Sequence, residues 1–319
     1  LNNFLNGITK PSFRFTSKEI LEWNEDGSLP MLPSNDSTEV FLQLRKSPWI
    51  SSNISGEWFV KPRVELHASS DKNLMDLKNE IQPSGFWPVY KGLSFDLWEP
   101  DKGKYYAWGD PSIIKPHLEN KEKKRAIREG NNYKLKIHAE NPRISFRLVT
   151  NRTNTRTLIV ALIPPKCFQQ HSVQFLELIR GKKIDEAYIL GCLSSIPLDW
   201  YARRFVELNF TFNYFNALPI PRPDKTNVLY QRVVELSARL ASTDKRFTNW
   251  ASDIGVEYGF LESEEKLKKI YELDAVVSHL YGLTESQLIH IYETFHKGWD
   301  YNDRLNQVLD YYNSWENKK

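Results

Sequence analysis

The stretch PRISFRLVTNRTNTRTLIVALIPP, residues Pro142 to Pro165, gives the strongest local fold signal in the sequence. Ile144–Val149 and Thr157–Ile163 have the apolar, β-branched composition of strands. The polar segment TNRTNTR between them is typical of a loop. We therefore predict a strand–loop–strand unit. No Asp or Glu occurs between Asn141 and Leu176, so the unit is basic throughout.

The polar side chains of this unit have the chemistry of nucleic-acid contacts. Arginine forks pair with guanine or phosphate, and asparagine pairs with adenine. The loop residues suited to reading bases are Asn151, Arg152, Thr153, Asn154 and Arg156. Arg143 and Arg147, on the first strand, are candidates for reading bases or clamping phosphates. The open alternative is a solvated loop whose arginines pair with acids elsewhere in the fold.

Further strands flank this unit on both sides. Glu57–Ala68 has β character, and Pro62 restricts it to an edge or bent strand. Phe86–Trp98 is a second strand region with a bend expected at Gly92. Ser172–Leu176 completes the predicted set.

Helical signals lie between and after these strands. Ser37 is a candidate cap for a helix that runs through Arg45, and Asp110–Pro111 begins another that ends at Gly130. The second helix carries five Lys/Arg between Lys121 and Arg128 among several acids. We interpret that basic run as a solvent-exposed face rather than a DNA contact.

Three more groups of polar residues are candidate DNA contacts. Ile184–Val206 reads as an apolar helix interrupted or ended near Pro197, and Arg203 and Arg204 at its end are expected to clamp the DNA backbone. The segment from Asn209 alternates polar and aromatic residues, which predicts a strand with Phe210, Phe212 and Tyr214 on one side. The polar residues that it offers to a groove include Asn209, Thr211 and Asn213. Lys91, next to Gly92, is a candidate phosphate contact.

The sequence changes character after the prolines that end at Pro223. From there, Leu229–Ala241, Glu264–Tyr281 and Tyr301–Trp315 carry helical periodicity. We predict an α+β fold: a connector over 1–35, a small twisted sheet with flanking helices over 36–223, and a helical C-terminal extension over 224–319.

Composition narrows the function classes. The 319 residues carry a net charge of only +3, so any nucleic-acid surface must be a local patch. Cys167 and Cys192 are expected to be buried, reduced thiols. The apolar runs are too short to span a bilayer, so we expect no membrane partner and a cytoplasmic protein.

Catalytic motifs are missing from the sequence. It contains no G-x-G-x-x-G, no P-loop, no H-E-x-x-H and no acid–acid-x-Lys arrangement of a metal nuclease. The tetrapeptide (Asp/Asn)-Pro-Pro-(Tyr/Phe), which positions a flipped adenine for methyl transfer, is also missing. We expect no catalytic residue, no metal site and no cofactor in this chain.

Several motifs together resemble a known family. Their order is WFVKPRVELHASSDKNL, FWPVYKGLSFDLW, the Pro142–Pro165 stretch, AYILGCLSSIPLDWYARR and NFTFNYFNALPIP. This order is similar to the C-terminal target-recognition (TaqI-like specificity) region of large adenine-N6 DNA methyltransferases. That family includes type IIG restriction–modification enzymes and the PglX methyltransferases of phage defence. The likeness covers about Thr38 to Pro223, and the tail from Glu272 is also similar.

The resemblance implies a division of labour. An upstream domain would bind S-adenosylmethionine and transfer the methyl group, and this chain would select the double-stranded DNA sequence. The first residue, Leu1, and the missing motifs fit a piece that lacks such a domain. One departure is YKGLSFDLWEPD, where family members often carry more charges and a His, so DNA contacts from that strand are expected to differ. The alternative hypothesis is a protein-interaction scaffold in a defence complex, whose basic loop meets an acidic partner.

Overall fold

A computed structural model describes residues 13–23, 26–130, 136–150, 154–206 and 209–318. Two four-stranded sheets combine with many helices, which confirms the predicted α+β class. The strands are β1 (Phe59–Arg63), β2 (Met75–Asp76), β3 (Trp87–Tyr90), β4 (Tyr105–Gly109), β5 (Arg143–Arg147), β6 (Val160–Ile163), β7 (Phe168–Gln169) and β8 (Val173–Arg180). The helices are α1 (Ser17–Leu21), α2 (Asn35–Arg45), α3 (Pro111–Arg128), α4 (Lys183–Ser194), α5 (Ile196–Ala202), α6 (Phe212–Asn216), α7 (Val228–Ala241), α8 (Thr248–Ile254), α9 (Ser263–Leu280), α10 (Glu285–Glu293) and α11 (Asn302–Glu316).

The first sheet has the strand order β1-β8-β5-β6, and every pair in it is antiparallel. β5 and β6 pair from Arg143↔Ile163 to Phe146↔Val160, which confirms the predicted strand–loop–strand unit. β1 lies at the edge of the sheet and pairs, among the described strands, with β8 alone. An edge position was predicted from Pro62, because proline has no N–H to give to a second neighbour.

The second sheet has the order β2-β4-β3-β7, with β3 and β7 parallel. It packs against the first sheet at β6, whose side chains are buried on both faces of the strand. Val160 and Leu162 enter the large helical core, while Ala161 and Ile163 join Tyr90 of β3 in a smaller cluster. This alternation follows from the two-residue period of a strand.

The predicted start of α3 and the predicted break after α4 are confirmed. Asp110 caps α3 by accepting a hydrogen bond from Ser112 N at 2.8 Å. Ser195 separates α4 from α5, and Pro197 lies in the first turn of α5. Proline fits there because the backbone N–H groups of the first turn have no acceptor within the helix.

Two local predictions are wrong. The segment after Asn209 is not a strand, because Phe212–Asn216 forms α6 and only an isolated bridge joins Asn209 to Val149. The cause is tertiary packing: Phe215 stacks on Phe146 with ring centroids 4.1 Å apart, so aromatic contact overrides the alternating pattern. The cap of α2 is Ser34 rather than Ser37, since Ser34 Oγ accepts from Ser37 N at 3.1 Å.

The C-terminal helices pack directly on α4. A Cβ on Gly191 would come within 2.6 Å of Val233 Cγ1, so only glycine permits the close approach of α4 and α7. The largest core cluster contains residues from both sides of Pro223, and the domain boundary there stays a prediction. Both cysteines are free and buried. No helix in the described ranges is long and apolar enough to cross a membrane.

Candidate nucleic-acid interface

A groove of about 420 Å³ runs beside the edge strand β1 and opposite α3. β1 and the residues after it contribute Arg63 and His67, and α6 contributes Phe212. The groove face of α3 carries Lys121, Glu122, Lys124, Arg125 and Arg128. Most of the cations that the sequence analysis assigned to solvent therefore line one concave surface.

Two of these cations are held in place by carboxylates. Arg63 donates to Glu177 at 2.7 Å and to Glu129 at 2.9 Å, and Arg125 donates to the same Glu177 at 3.1 Å. Burial by itself raises the pKa of Glu177. The neighbouring His138, the positive charge of Arg125 and the hydrogen bond from Arg63 outweigh burial and lower that pKa to about 2. Glu177 is therefore ionised at neutral pH and holds Arg63 and Arg125, which line the groove.

Lys124 and Arg128 have a different environment. Both are exposed, and neither pairs with an acid in the part of the chain that the structure describes. They are one helical turn apart on α3, so their charges project from the same face. This spacing suits two successive contacts to a polyanion.

The predicted residues Asn209, Thr211 and Asn213 are all exposed. Thr211 and Asn213 flank Phe212, which lines the groove, and Asn209 lies three residues before it. Asn213 already donates to both carboxylate oxygens of Asp26 at 2.9 Å. Asn209 and Thr211 are therefore the better placed of the three to contact a ligand in the groove.

The base of the predicted reading loop meets the same segment. Phe210 N donates to Leu148 O at 2.8 Å, and Thr150 Oγ1 closes the loop by donating to Thr157 O at 2.7 Å. Asn151, Arg152 and Thr153 fall outside the described residues. The main-chain oxygen of Asn154 accepts from Arg203 at 2.9 Å.

The two strand arginines make intramolecular contacts. Arg143 is buried and donates to Glu65 and to Cys167 O, each at 3.0 Å. Arg147 pairs with Asp96 at 3.1 Å. The structure gives each guanidinium a structural role, and their roles as DNA contacts stay predictions.

The other arginines predicted to contact DNA also make intramolecular contacts. Arg156 pairs with the fully buried Asp199, and Arg203 donates to Phe295 O at 3.0 Å. Arg204 lies 4.3 Å from the ring of Trp200, and burial lowers its pKa to about 10. These guanidiniums hold neighbouring segments of the fold together, and DNA contact by them stays a prediction.

Lys91 does not line the groove. It is half-buried and begins a 3-10 turn, where its main-chain N donates to Ser94 Oγ at 2.9 Å. Its role as a phosphate contact also stays a prediction.

A possible metal-ligand cluster includes Glu122, which lines the groove. Glu122, His138 and Glu177 each offer one ligand atom, and these atoms lie within 4.8 Å of one another. Arg63 and Arg125 already donate to these carboxylates. A cation would have to displace both arginines, so the chemistry of this cluster fits an ion-pair network better than a metal site.

The chain matches no protein-family model and no curated protein. Among solved structures it is similar to the Type IIL restriction–modification enzyme MmeI in complex with DNA, at 11% identity and a TM-score of 0.42. The likeness covers 78% of this chain and 36% of that enzyme, so this chain spans about a third of its length. A likeness at this level carries no argument about function.

Proposed function

We propose that this chain recognises double-stranded DNA in a sequence-dependent way. The observation that carries the proposal is the groove beside β1, where the cations of α3 and Phe212 line one surface and the exposed Thr211 precedes Phe212 in sequence. DNA recognition needs phosphate contacts that set the register and a few side chains that read base edges. The groove offers both in one place.

The phosphate contacts are assigned to α3. Lys124 and Arg128 supply positive charges that no acid of the described chain neutralises. Arg63 and Arg125 are already paired with Glu177, so they shape the groove wall and the unpaired charges come from Lys124 and Arg128.

Base reading is assigned to Asn209, Thr211 and the neighbouring loop that carries Arg152. Asparagine reads adenine through its amide, and arginine reads guanine through its fork. The base of the loop and Asn209 are adjacent through the Val149↔Asn209 bridge. The readers would therefore reach neighbouring bases while α3 holds the backbone.

The motif resemblance extends the proposal to a biological setting. We propose that the chain selects the target of an adenine-N6 DNA methyltransferase in a restriction–modification or phage-defence system. The partner would be a methyltransferase domain that binds S-adenosylmethionine, while the groove here supplies no methyl transfer. The support is the motif order from Trp58 to Pro221 together with the groove.

Binding to mixed-sequence duplex DNA tests the proposal. Fluorescence anisotropy over a salt series is expected to show affinity that falls with salt, with a slope of log K against log salt of roughly −2 to −5, because each phosphate contact contributes about −0.9. Binding without salt dependence, or no binding at low salt, contradicts it. Labelled S-adenosylmethionine in the same samples is expected to leave the DNA unlabelled.

A further inference from the structure

A second cleft lies away from the groove, where the two sheets meet the C-terminal helices. Its volume is about 510 Å³, within the range of small-ligand sites. Tyr90 and Tyr105 of the second sheet form its floor and one wall. Pro165 and Lys166 come from the β6–β7 connection, and Lys245 from the 3-10 turn before α8.

The floor contains a polar group without a partner. Tyr90 is fully buried, and its hydroxyl makes no hydrogen bond to any described residue. Burial, together with the nearby Cys167 and Asp101, raises the pKa of Tyr90 well above its usual value, so the hydroxyl stays protonated. A buried donor without an acceptor costs stability, which a ligand acceptor would recover.

The mouth of the cleft is positive. Lys166 and Lys245 are exposed, and neither pairs with an acid among the residues described. Arg246 also lines the cleft, but Asp101 at 2.7 Å and Asp244 at 2.9 Å neutralise it. Two ammonium groups without acidic partners at one mouth suit a phosphate group.

Lys166 also has an unusual backbone. Its φ of +60° lies in the left-handed region, which disfavours a lysine and favours glycine or asparagine. Strained residues of this kind concentrate at ligand sites. The backbone is fixed here because Lys166 N donates to Ala139 O at 2.7 Å.

The wall is aromatic and flat. Tyr105 stacks on Tyr90 with ring centroids 5.4 Å apart, and its hydroxyl donates to Asp101 at 2.8 Å. Tyr105 is half-buried, and Pro88 and Pro165 face the same space. A planar ring fits such a slot by stacking and apolar contact.

We propose that this cleft binds a nucleotide. The base would lie against Tyr105 between the prolines, with an acceptor atom on the Tyr90 hydroxyl, and the phosphate would meet Lys166 and Lys245. The same chemistry is offered by a free mononucleotide and by an unpaired nucleotide in a DNA strand. The proposal is independent of the groove beside β1.

Isothermal titration of the full chain at low salt tests this site with four probes: AMP, adenosine, inorganic phosphate and a short DNA with one unpaired adenine. AMP is expected to bind more tightly than adenosine or phosphate, since each of these offers only part of the complementary chemistry. The DNA with one unpaired adenine distinguishes a free nucleotide from a nucleotide within a DNA strand. If that DNA binds more tightly than both AMP and a fully paired duplex, the ligand is a nucleotide within DNA; otherwise it is a free one.

Three substitutions separate a ligand role from a structural one. Tyr90→Phe removes only the unpartnered hydroxyl, so folding should be unchanged or slightly stabilised while nucleotide affinity falls about three- to tenfold. Lys166→Asn keeps a residue that tolerates positive φ, and Lys245→Ala removes the second charge. Each is expected to weaken AMP binding roughly five- to tenfold.

Lys297→Ala, at an exposed lysine outside the cleft, is the matched control and should bind AMP like the unmodified chain. Lys124→Ala should also leave AMP binding unchanged, which separates this site from the groove. The proposal is overturned if no probe binds, or if the three cleft variants bind as tightly as the control.

Discussion

Arg156 and Asp199 form an ion pair that fastens the β5–β6 loop to α5. Asp199 is fully buried, and its carboxylate also accepts from the main-chain N of Thr157 and of Leu158, each at 3.1 Å. A second guanidinium nitrogen of Arg156 donates to Ser194 O at 2.7 Å. One arginine thus joins the loop to both helices that follow β8.

This ion pair predicts a structural phenotype for Arg156→Ala. Truncation leaves a buried carboxylate without its counter-ion, so the free energy of unfolding should fall by about 2–4 kcal/mol. Urea denaturation followed by circular dichroism measures this, with Lys297→Ala as the control. If Arg156→Ala keeps full stability and instead alters DNA selectivity, the arginine reads bases, as the sequence alone indicates.

The sequence predicted the secondary-structure elements better than it predicted which side chains pair with each other. Strand composition located β5 and β6 because both are buried strands bounded by turn residues. It did not reveal that Arg143 pairs with Glu65, which lies 78 residues away. A basic, acid-free segment looks like a ligand surface until the fold brings acids from elsewhere to it.

The charges of α3 were also hard to interpret from the sequence, here because some of them stay unpaired in the fold. Cations and acids alternate along α3, which is typical of a solvated helix. The fold turns Glu122 toward Arg125 and leaves Lys124 and Arg128 without acidic partners in the described residues. Only the placement of α3 against β1 shows which charges remain available.

Lys124→Ala and Arg128→Ala are expected to weaken duplex DNA binding for all sequences alike. Each change should also flatten the slope of log K against log salt by about one unit, because one phosphate fewer is neutralised. Lys123→Ala is the matched control, because this lysine lies on the same helix, pairs with Glu119 and does not line the groove. Equal weakening in all three variants would mean that α3 acts only through its total charge.

The ion pairs of Glu177 predict a decrease of stability in acid. Its folded pKa is about 2, below the ordinary 4.5, so its contribution is complete above pH 4.5 and disappears as the pH falls toward 2. The expected decrease is about 2–3 kcal/mol. Urea midpoints between pH 6 and pH 3 measure it.

Glu177→Gln is the comparison for that experiment. The variant should be less stable at neutral pH, because Arg63 and Arg125 no longer share a carboxylate. Its stability should then fall less steeply with acid than that of the unmodified chain. Identical slopes would show that other carboxylates govern the acid transition.

Asn209 and Asn213 provide the sharpest test of base reading. Both are exposed and lie within three residues of Phe212 in sequence, but the amide of Asn213 is already bound to Asp26. Asn209→Ala is expected to lower discrimination at one base pair by about 1–3 kcal/mol, because an amide that pairs with adenine would be gone. Asn213→Ala should leave selectivity unchanged and at most lower stability slightly. Selection from a randomised duplex pool, followed by sequencing, measures both. Unchanged selectivity in Asn209→Ala, or a change confined to Asn213→Ala, would contradict the assignment of Asn209 as a reader.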